Sequence, residues 1–148
     1  MAIAILIIMA ILLIISPNIS LTQSTVFKWR KSTTTFQLGS KMKTYWYLEY
    51  HGKDYDTWWT TIRIYAPSGW SYRYESHAEI PLMDGYIYRY DVLIRYPDEN
   101  SPHYYRWNET GKWKVIANVN TPSQGIASCT VYINIVDYPT IDIEWGWI

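Results

Sequence analysis

Three histidines are the first residues whose spacing suggests chemistry. His51, His77 and His103 lie at equal intervals along the chain, and three imidazoles can hold zinc or copper. Glu75 and Glu79 fall on the same side of a predicted strand as His77, which is an arrangement suited to acid–base catalysis. Neither pattern is specific, because that interval matches no ligand motif and a solvent-facing strand alternates in the same way. We therefore predict that the chain is not an enzyme, with no catalytic residue, metal or cofactor.

Aromatic side chains are the stronger chemical signal. The 148 residues include 9 tryptophans, 15 tyrosines and 2 phenylalanines. Four aromatic residues fall opposite the predicted apolar faces, namely Tyr45, Tyr47, Trp59 and Tyr65. Exposed Trp and Tyr rings stack on sugars and anchor protein interfaces. These four residues are the predicted binding surface, with a glycan as one predicted partner. The alternative is that they are ordinary outward β-forming side chains.

The charges of the chain cancel, since 13 basic and 13 acidic side chains give a formal net charge of zero. Nucleic-acid-binding domains usually carry a basic footprint, so we predict that nucleic acid is not a partner. The charges are nevertheless unevenly spread along the sequence. Residues 28–43 carry five bases and no acid, whereas residues 115–148 carry three acids and no base. A basic first strand and an acidic last strand could pair, within one domain or between copies.

The C-terminal residues alternate in a way that predicts one more strand. Its apolar side is formed by Ile141, Ile143, Trp145 and Trp147. A chain that ends on such a strand either closes its own sheet or leaves an edge that another chain can cover. Head-to-tail strand addition would then build a filament. These four residues are the predicted assembly strand, with self-association or other surface proteins as predicted partners.

The N-terminus is strongly apolar. Its first 15 residues carry no polar side chain, and as a helix they would span about 22 Å, short of a ~30 Å hydrocarbon core. That length favours a secretory segment that ends near Pro17, although no Lys or Arg precedes it and no clear cleavage site follows. We predict that residues 1–21 form a hydrophobic helix, either a cleaved signal peptide or a transmembrane anchor that binds the chain to the membrane. A reversed or non-exported arrangement is the alternative.

Two sequons agree with export to an extracellular or cell-surface location. They are Asn18-Ile19-Ser20 and Asn108-Glu109-Thr110, and both match the acceptor pattern for N-glycosylation. Tripeptides of this kind also arise by chance. Asn108 has the better context, because it precedes Gly111 in a predicted turn. Asn108 and Asn18 are the predicted glycosylation sites.

From residue 26 onward, apolar residues recur at every second position between turn residues, which predicts about eight or nine strands. Asp84-Gly85 predicts a hairpin turn. A single cysteine excludes an internal disulfide framework. We predict an all-β fold, a single antiparallel β-sandwich over residues 40–148. Residues 22–39 are a predicted Ser/Thr-rich basic linker with a first strand.

Two segments carry a resemblance to a known family. Residues 62–70 (IRIYAPSGW) and 111–117 (GKWKVIA) resemble segments of immunoglobulin-like sandwich ectodomains. The Ile-, Tyr- and Trp-rich composition is similar to that of exported surface proteins of thermophilic archaea and their viruses. The chain departs from the family in lacking a cysteine pair between the sheets. The resemblance implies an immunoglobulin-like fold and no particular functional residue.

These observations lead to one predicted function and two alternatives. The chain is predicted to be an exported or membrane-anchored, non-enzymatic β-sandwich, a structural or adhesive component of a cell or virion surface. A carbohydrate-binding module that uses exposed Trp and Tyr is the first alternative. A strand-exchanged filament subunit is the second.

Overall fold

The computed structural model describes residues 24–77, 80–95, 100 and 105–141. The regular structure of these residues is entirely β, which confirms the all-β prediction. The strands are β1 Val26–Trp29, β2 Thr35–Gln37, β3 Lys43–Glu49, β4 Trp59–Tyr65, β5 Ser71–His77, β6 Ile87–Leu93, β7 Gly111–Thr121 and β8 Gly125–Val136. The predicted helix over residues 1–21 lies outside the described residues. Within the described ranges we find no helix with the length and hydropathy of a membrane span.

The strands form two sheets. One has three strands in the order β1-β3-β6, and the other has five in the order β2-β8-β7-β4-β5. Neighbouring strands pair antiparallel except β2 and β8, where Phe36 aligns with Ile135 in a parallel register. The prediction of antiparallel pairing therefore holds for every strand pair of these sheets but one.

A single hydrophobic core joins side chains from both sheets. Strand alternation explains which residues enter it, because successive side chains point to opposite faces. Trp46 and Leu48 of β3 and Trp113 and Val115 of β7 are fully buried. The buried indole N–H groups find acceptors: Trp46 Nε1 donates to Thr44 Oγ1 at 2.9 Å, and Trp113 Nε1 donates to the Glu109 carbonyl at 2.9 Å. Burial of each such side chain contributes about 1.5–3 kcal/mol relative to exposure.

The chain passes from one sheet to the other at connections whose local sequence does not show which sheet the next strand will join. Asp84-Gly85 forms a turn, with Gly85 at a φ of 74°, but it connects β5 in one sheet to β6 in the other. The predicted hairpin is therefore wrong, because turn residues fix the local backbone and not the strand with which the next segment pairs. Residues 26–37 likewise contribute to both sheets, β1 to the smaller and β2 to the larger.

Gly111 offers a direct test of this packing. Its φ is 119°, and an added Cβ would lie 3.0 Å from Pro67 Cγ. We expect Gly111→Ala to lower the free energy of unfolding by about 2–3 kcal/mol, because it combines backbone strain with a close contact. Gly39→Ala is the matched control, since Gly39 has a φ of 82° but no atom within 4 Å of the added Cβ. Urea denaturation should show the larger loss for Gly111→Ala, and equal losses would contradict the contact with Pro67.

Candidate functional site

The five-stranded sheet is the larger of the two sheets, and its outer face is the first candidate surface. In β4 the inward residues Thr60, Ile62 and Ile64 are buried. Trp59 and Tyr65 therefore point outward, and both remain half-buried rather than fully exposed. They are six residues apart on one strand, so about 20 Å separates their positions. This face places both predicted aromatic residues of β4 on one surface.

Neighbouring strands extend this face into rows. Tyr65 pairs with Lys114 of β7, which pairs with Tyr132 of β8. Tyr132 is 50% exposed, and the Lys112 Nζ lies 4.3 Å from its ring centroid. Tyr65 and Tyr132 are two strands apart, or about 10 Å. The row therefore presents two aromatic rings with lysines beside them.

Polar side chains occupy the middle of the same face. Thr61 of β4 pairs with Asn118 of β7, which pairs with Ser128 of β8. The Ser128 hydroxyl donates to Asn118 Oδ1 at 2.7 Å, which orients the amide. We call these two rows, together with Trp59 at the start of β4, the aromatic–amide face; its residues are Trp59, Thr61, Tyr65, Lys114, Asn118, Ser128 and Tyr132. Rings at its two ends with hydroxyl and amide groups between them can bind a polar ligand with apolar ring faces, such as a sugar.

The other two predicted aromatic residues lie on the other sheet. Tyr45 and Tyr47 point outward from β3 of the three-stranded sheet, so they do not join Trp59 and Tyr65. Tyr45 is only 8% exposed, because the Trp29 and Phe36 rings pack against it with centroids 5.6 and 6.2 Å away. Tyr47 is half-buried, and its hydroxyl donates to Glu49 Oε2 at 3.2 Å. The Tyr45 ring is therefore not a free stacking surface.

The remaining predicted positions are spread over the chain. Asn108 is half-buried in the segment between Trp107 and β7. Asn18 lies outside the described residues, as do Ile143, Trp145 and Trp147 of the predicted assembly strand. Its remaining residue, Ile141, is 84% exposed. Glycosylation and strand assembly stay predictions.

The histidines do not converge within the described residues. His51 Nε2 lies 3.1 Å from Glu49 Oε1, and its Nδ1 lies 3.7 Å from Asp84 Oδ1. His77 is exposed on β5, and His103 lies outside the described residues. Among the residues that the structure describes, no group of three His, Cys, Asp or Glu side chains is placed to hold a metal ion.

One buried polar cluster was not predicted from the sequence. Asp56, only 7% exposed, lies with Oδ2 2.9 Å from the Tyr50 hydroxyl, and it accepts from the Ser123 hydroxyl and from the Ser123 N–H at 3.1 Å. Its Oδ1 accepts from the Thr57 N–H at 3.0 Å. Burial alone would raise the pKa of the Asp56 carboxyl, but these hydrogen bonds favour the carboxylate and hold the pKa below its usual value. The cluster ties the β3–β4 connection to the β7–β8 turn.

Sequence reasoning also missed part of the aromatic–amide face. Tyr132, Asn118 and Ser128 sit at outward positions of β7 and β8. Their alternation with the buried Val131, Ile133 and Val115 is visible in the sequence, so the signal was present. Which outward residues share a row with Tyr65 depends on strand pairing, which alternation does not give.

Comparison with known proteins yields structural likeness only. No protein-family model and no curated protein match this sequence. One similar solved structure is an alkylpurine DNA glycosylase of Pseudomonas fluorescens bound to DNA containing an abasic site analog, with 12% identity and a TM-score of 0.41 over 77% of this chain and 31% of that chain. Another is a sporulation control protein of Bacillus subtilis, with 10% identity and a TM-score of 0.33 over 76% of this chain and 49% of that one. This chain thus spans less than half of either protein.

The DNA-bound neighbour corrects one prediction. The prediction that nucleic acid is not a partner is withdrawn, because a net charge of zero does not exclude it and one of these solved structures is bound to DNA. The physical reason is that net charge is a sum over the whole chain and hides local concentrations of one sign. Lys28, Arg30 and Lys43, for example, point from the same sheet face. The structural similarity is too distant to support DNA binding by this chain.

Proposed function

We propose that this chain is an exported or membrane-anchored, non-enzymatic β-sandwich that serves as an adhesive component of a cell or virion surface. Export is supported by the uncharged N-terminal stretch, since the first charged side chain is Lys28. The resemblance to exported surface proteins of thermophilic archaea and their viruses supports the same location. A surface domain of this size acts by presenting one of its faces to a partner.

We further propose that the sandwich is immunoglobulin-like. In that fold the first, second, fourth and fifth strands form one sheet, and the third, sixth and seventh form the other; the three-stranded sheet of this chain has counterparts of the first, second and fifth. Here β1, β3 and β6 form the smaller sheet, whereas β4, β7 and β8 lie in the larger. β5 extends the larger sheet beyond β4, as the additional strand of a variable-type domain does. The order of the strands, rather than any sequence motif, supports this proposal.

The observation that carries the function is the aromatic–amide face. It presents Trp59, Tyr65 and Tyr132 outward on the five-stranded sheet, with Asn118 and Ser128 fixed by a hydrogen bond between them. Rigid rings offer large contact area at low entropic cost, and orienting amides add specificity. A neutral carbohydrate fits this combination best. Adhesion through a glycan is therefore the proposed activity.

Glycan-array binding tests this proposal. The full-length chain in a neutral detergent is expected to bind a subset of neutral glycans, and Trp59→Ala with Tyr65→Ala is expected to weaken that binding at least about tenfold. The matched control removes two exposed tyrosines elsewhere, Tyr86→Ala with Tyr138→Ala, which are 61% and 59% exposed. The control should bind as the unmodified chain does. An equal loss in both variants, or no glycan bound at any position of the array, would refute the proposal.

A further inference from the structure

The outer face of the three-stranded sheet concentrates positive charge. It carries five basic residues, which we call the basic face: Lys28, Arg30, Lys31, Lys43 and Arg89. Arg89 pairs with Tyr47 and Lys28 pairs with Tyr47 from the other side, so the two cations flank one ring, with their Cα positions about 10 Å apart. Two acids, Glu49 and Asp91, share this face. The local excess is therefore three positive charges in a chain whose net charge is zero.

Tyrosine rings hold these cations close together. The Lys31 Nζ, the Lys43 Nζ and the Arg30 Cζ lie 4.0, 5.2 and 5.3 Å from the Tyr45 ring centroid. The Lys28 Nζ lies 4.8 Å from the Tyr47 ring centroid. Cation–π attraction offsets part of the repulsion among like charges. The rings thus organise a charged surface rather than offer their own faces to a ligand.

The acids on this face are already engaged. Asp91 Oδ1 accepts hydrogen bonds from Arg30 Nε at 3.0 Å and Nη2 at 2.7 Å. Its Oδ2 also accepts from Arg30 Nη2 at 2.7 Å and lies 3.3 Å from the Lys43 Nζ. Glu49 is bound to His51 and to the Tyr47 hydroxyl. The Asp91 carboxylate therefore serves two cations. Lys28 lies over the Tyr47 ring and is near enough to Glu49 to interact with it, and Arg89 is paired with Tyr47 in the strand register. A ligand with several negative charges would neutralise the remaining positive charge of the basic face.

Two observations narrow the class of ligand. Single-stranded nucleic acid binds by stacking bases on open aromatic rings, whereas here cations lie over Tyr45 and Tyr47. A membrane surface that met the sheet at the end where β1 begins would need cations there. That end is linked to acids, because Thr25 bonds to His51, which contacts Glu49 and Asp84. Both features favour a soluble polyanion that lies along the sheet.

We propose that the basic face binds an acidic polysaccharide, one that carries sulfate or carboxylate groups along an extended chain. Lys and Arg side chains pair with such groups through charge-assisted hydrogen bonds. The outer surface of a sheet accommodates an extended polymer, and the row Lys28–Tyr47–Arg89 crosses it. This site is separate from the aromatic–amide face, because the two lie on different sheets. It therefore adds a second ligand class to the proposed function without depending on the first.

Dextran sulfate is the probe for this site. The full-length chain in a neutral detergent is expected to bind it, with affinity that falls as salt rises because exposed charges are screened. Reversing two exposed charges in Lys28→Glu with Arg89→Glu is expected to lower the affinity about tenfold or more. Lys53→Glu with Arg73→Glu is the matched control, since it makes the same change in net charge away from the basic face. That control should retain most of the affinity.

The outcomes separate this site from its competitors. Circular dichroism of both variants, and unchanged binding of Lys28→Glu with Arg89→Glu to the neutral glycan array, would show that the fold is intact. Equal affinity losses in the two variants would mean that only total charge matters and would overturn the proposal. Tighter binding to oligothymidylate of equal charge, or binding confined to vesicles containing phosphatidylglycerol, would assign the face to nucleic acid or to membrane instead. If the chain binds no neutral glycan but still binds dextran sulfate through the basic face, only the proposal for the aromatic–amide face is refuted.

Discussion

Replacing Trp113 with alanine is expected to lower the free energy of unfolding by about 3–5 kcal/mol. Trp113 is fully buried, and its ring contacts Trp107 and Trp70 with centroids 5.1 and 6.3 Å away. Truncation leaves a large cavity that the strands around it cannot close. It also removes the donor to the Glu109 carbonyl, 2.9 Å from Trp113 Nε1, which leaves that acceptor short of a partner. Urea denaturation followed by tryptophan fluorescence measures the loss.

Two companion variants make this prediction specific. Trp113→Phe keeps a ring in the core, so it loses only the indole N–H and part of the side-chain volume. Its loss of unfolding free energy should therefore be smaller than that of the alanine variant. Trp59→Ala removes a tryptophan of similar size from the half-buried outer face, and we expect about 1 kcal/mol or less. A cost for Trp59→Ala as large as that of Trp113→Ala would contradict the assignment of the two faces.

Replacing Asp56 with asparagine is expected to cost about 2–3 kcal/mol at neutral pH. The carboxylate accepts hydrogen bonds from Ser123 and Thr57 and lies beside the Tyr50 hydroxyl. An amide can present its oxygen to one side only, so its NH₂ group must face a donor on the other. The buried donors that lose their acceptor then carry the desolvation penalty. Asp137→Asn, at an exposed position after β8, is the matched control and should change stability by less than about 0.5 kcal/mol.

The same variant has a pH dependence whose sign follows from the pKa. Hydrogen bonds hold the folded-state pKa of Asp56 below its ordinary value of 3.8. A group with a depressed folded pKa stabilises the fold fully above its unfolded pKa and loses that contribution as pH falls through the folded pKa. The unmodified chain and Asp56→Asn should therefore converge in stability as the solution is acidified. A difference that stays constant or widens in acid would contradict the carboxylate assignment.

Alternation of residue type was enough to predict the inward faces of the long strands. Trp58, Thr60 and Ile64 are buried around β4 and Val119 is buried in β7, because side chains on a strand point to opposite faces in turn. This periodicity is local and needs no knowledge of neighbouring strands. The inward side of a long strand can therefore be recognised from the sequence alone.

Pairing between distant strands was not predictable in the same way. β1 and β2 are separated by five residues yet join different sheets, and β2 aligns in parallel with β8 near the other end of the chain. Alternation shows to which side of a strand a residue points, but not which strand lies next to it. The neighbouring strands decide which outward residues come together. For this reason Tyr65 was found but its row neighbour Tyr132 was not.

Tyr45 shows that an outward position does not by itself leave a ring open to a ligand. Its outward position on β3 is as the alternation predicts, but Lys31 and Trp29 cover its ring. Both neighbours come from the segment around β1, whose path depends on pairing with β3. The Asp56 cluster was not predicted from the sequence for a similar reason, since Ser123 and Asp56 are 67 residues apart. Long-range contacts of this kind carry no periodic signal.

Surface labelling tests the central claim most directly. Intact cells or particles that make this protein are treated with a membrane-impermeant, lysine-reactive reagent, and peptides from residues 24–141 are then identified by mass spectrometry in each fraction. We expect labelled Lys53 and Lys112, both exposed, from chain in the surface or secreted fraction. A full-length, unlabelled chain recovered only from the cytosol would contradict a surface function.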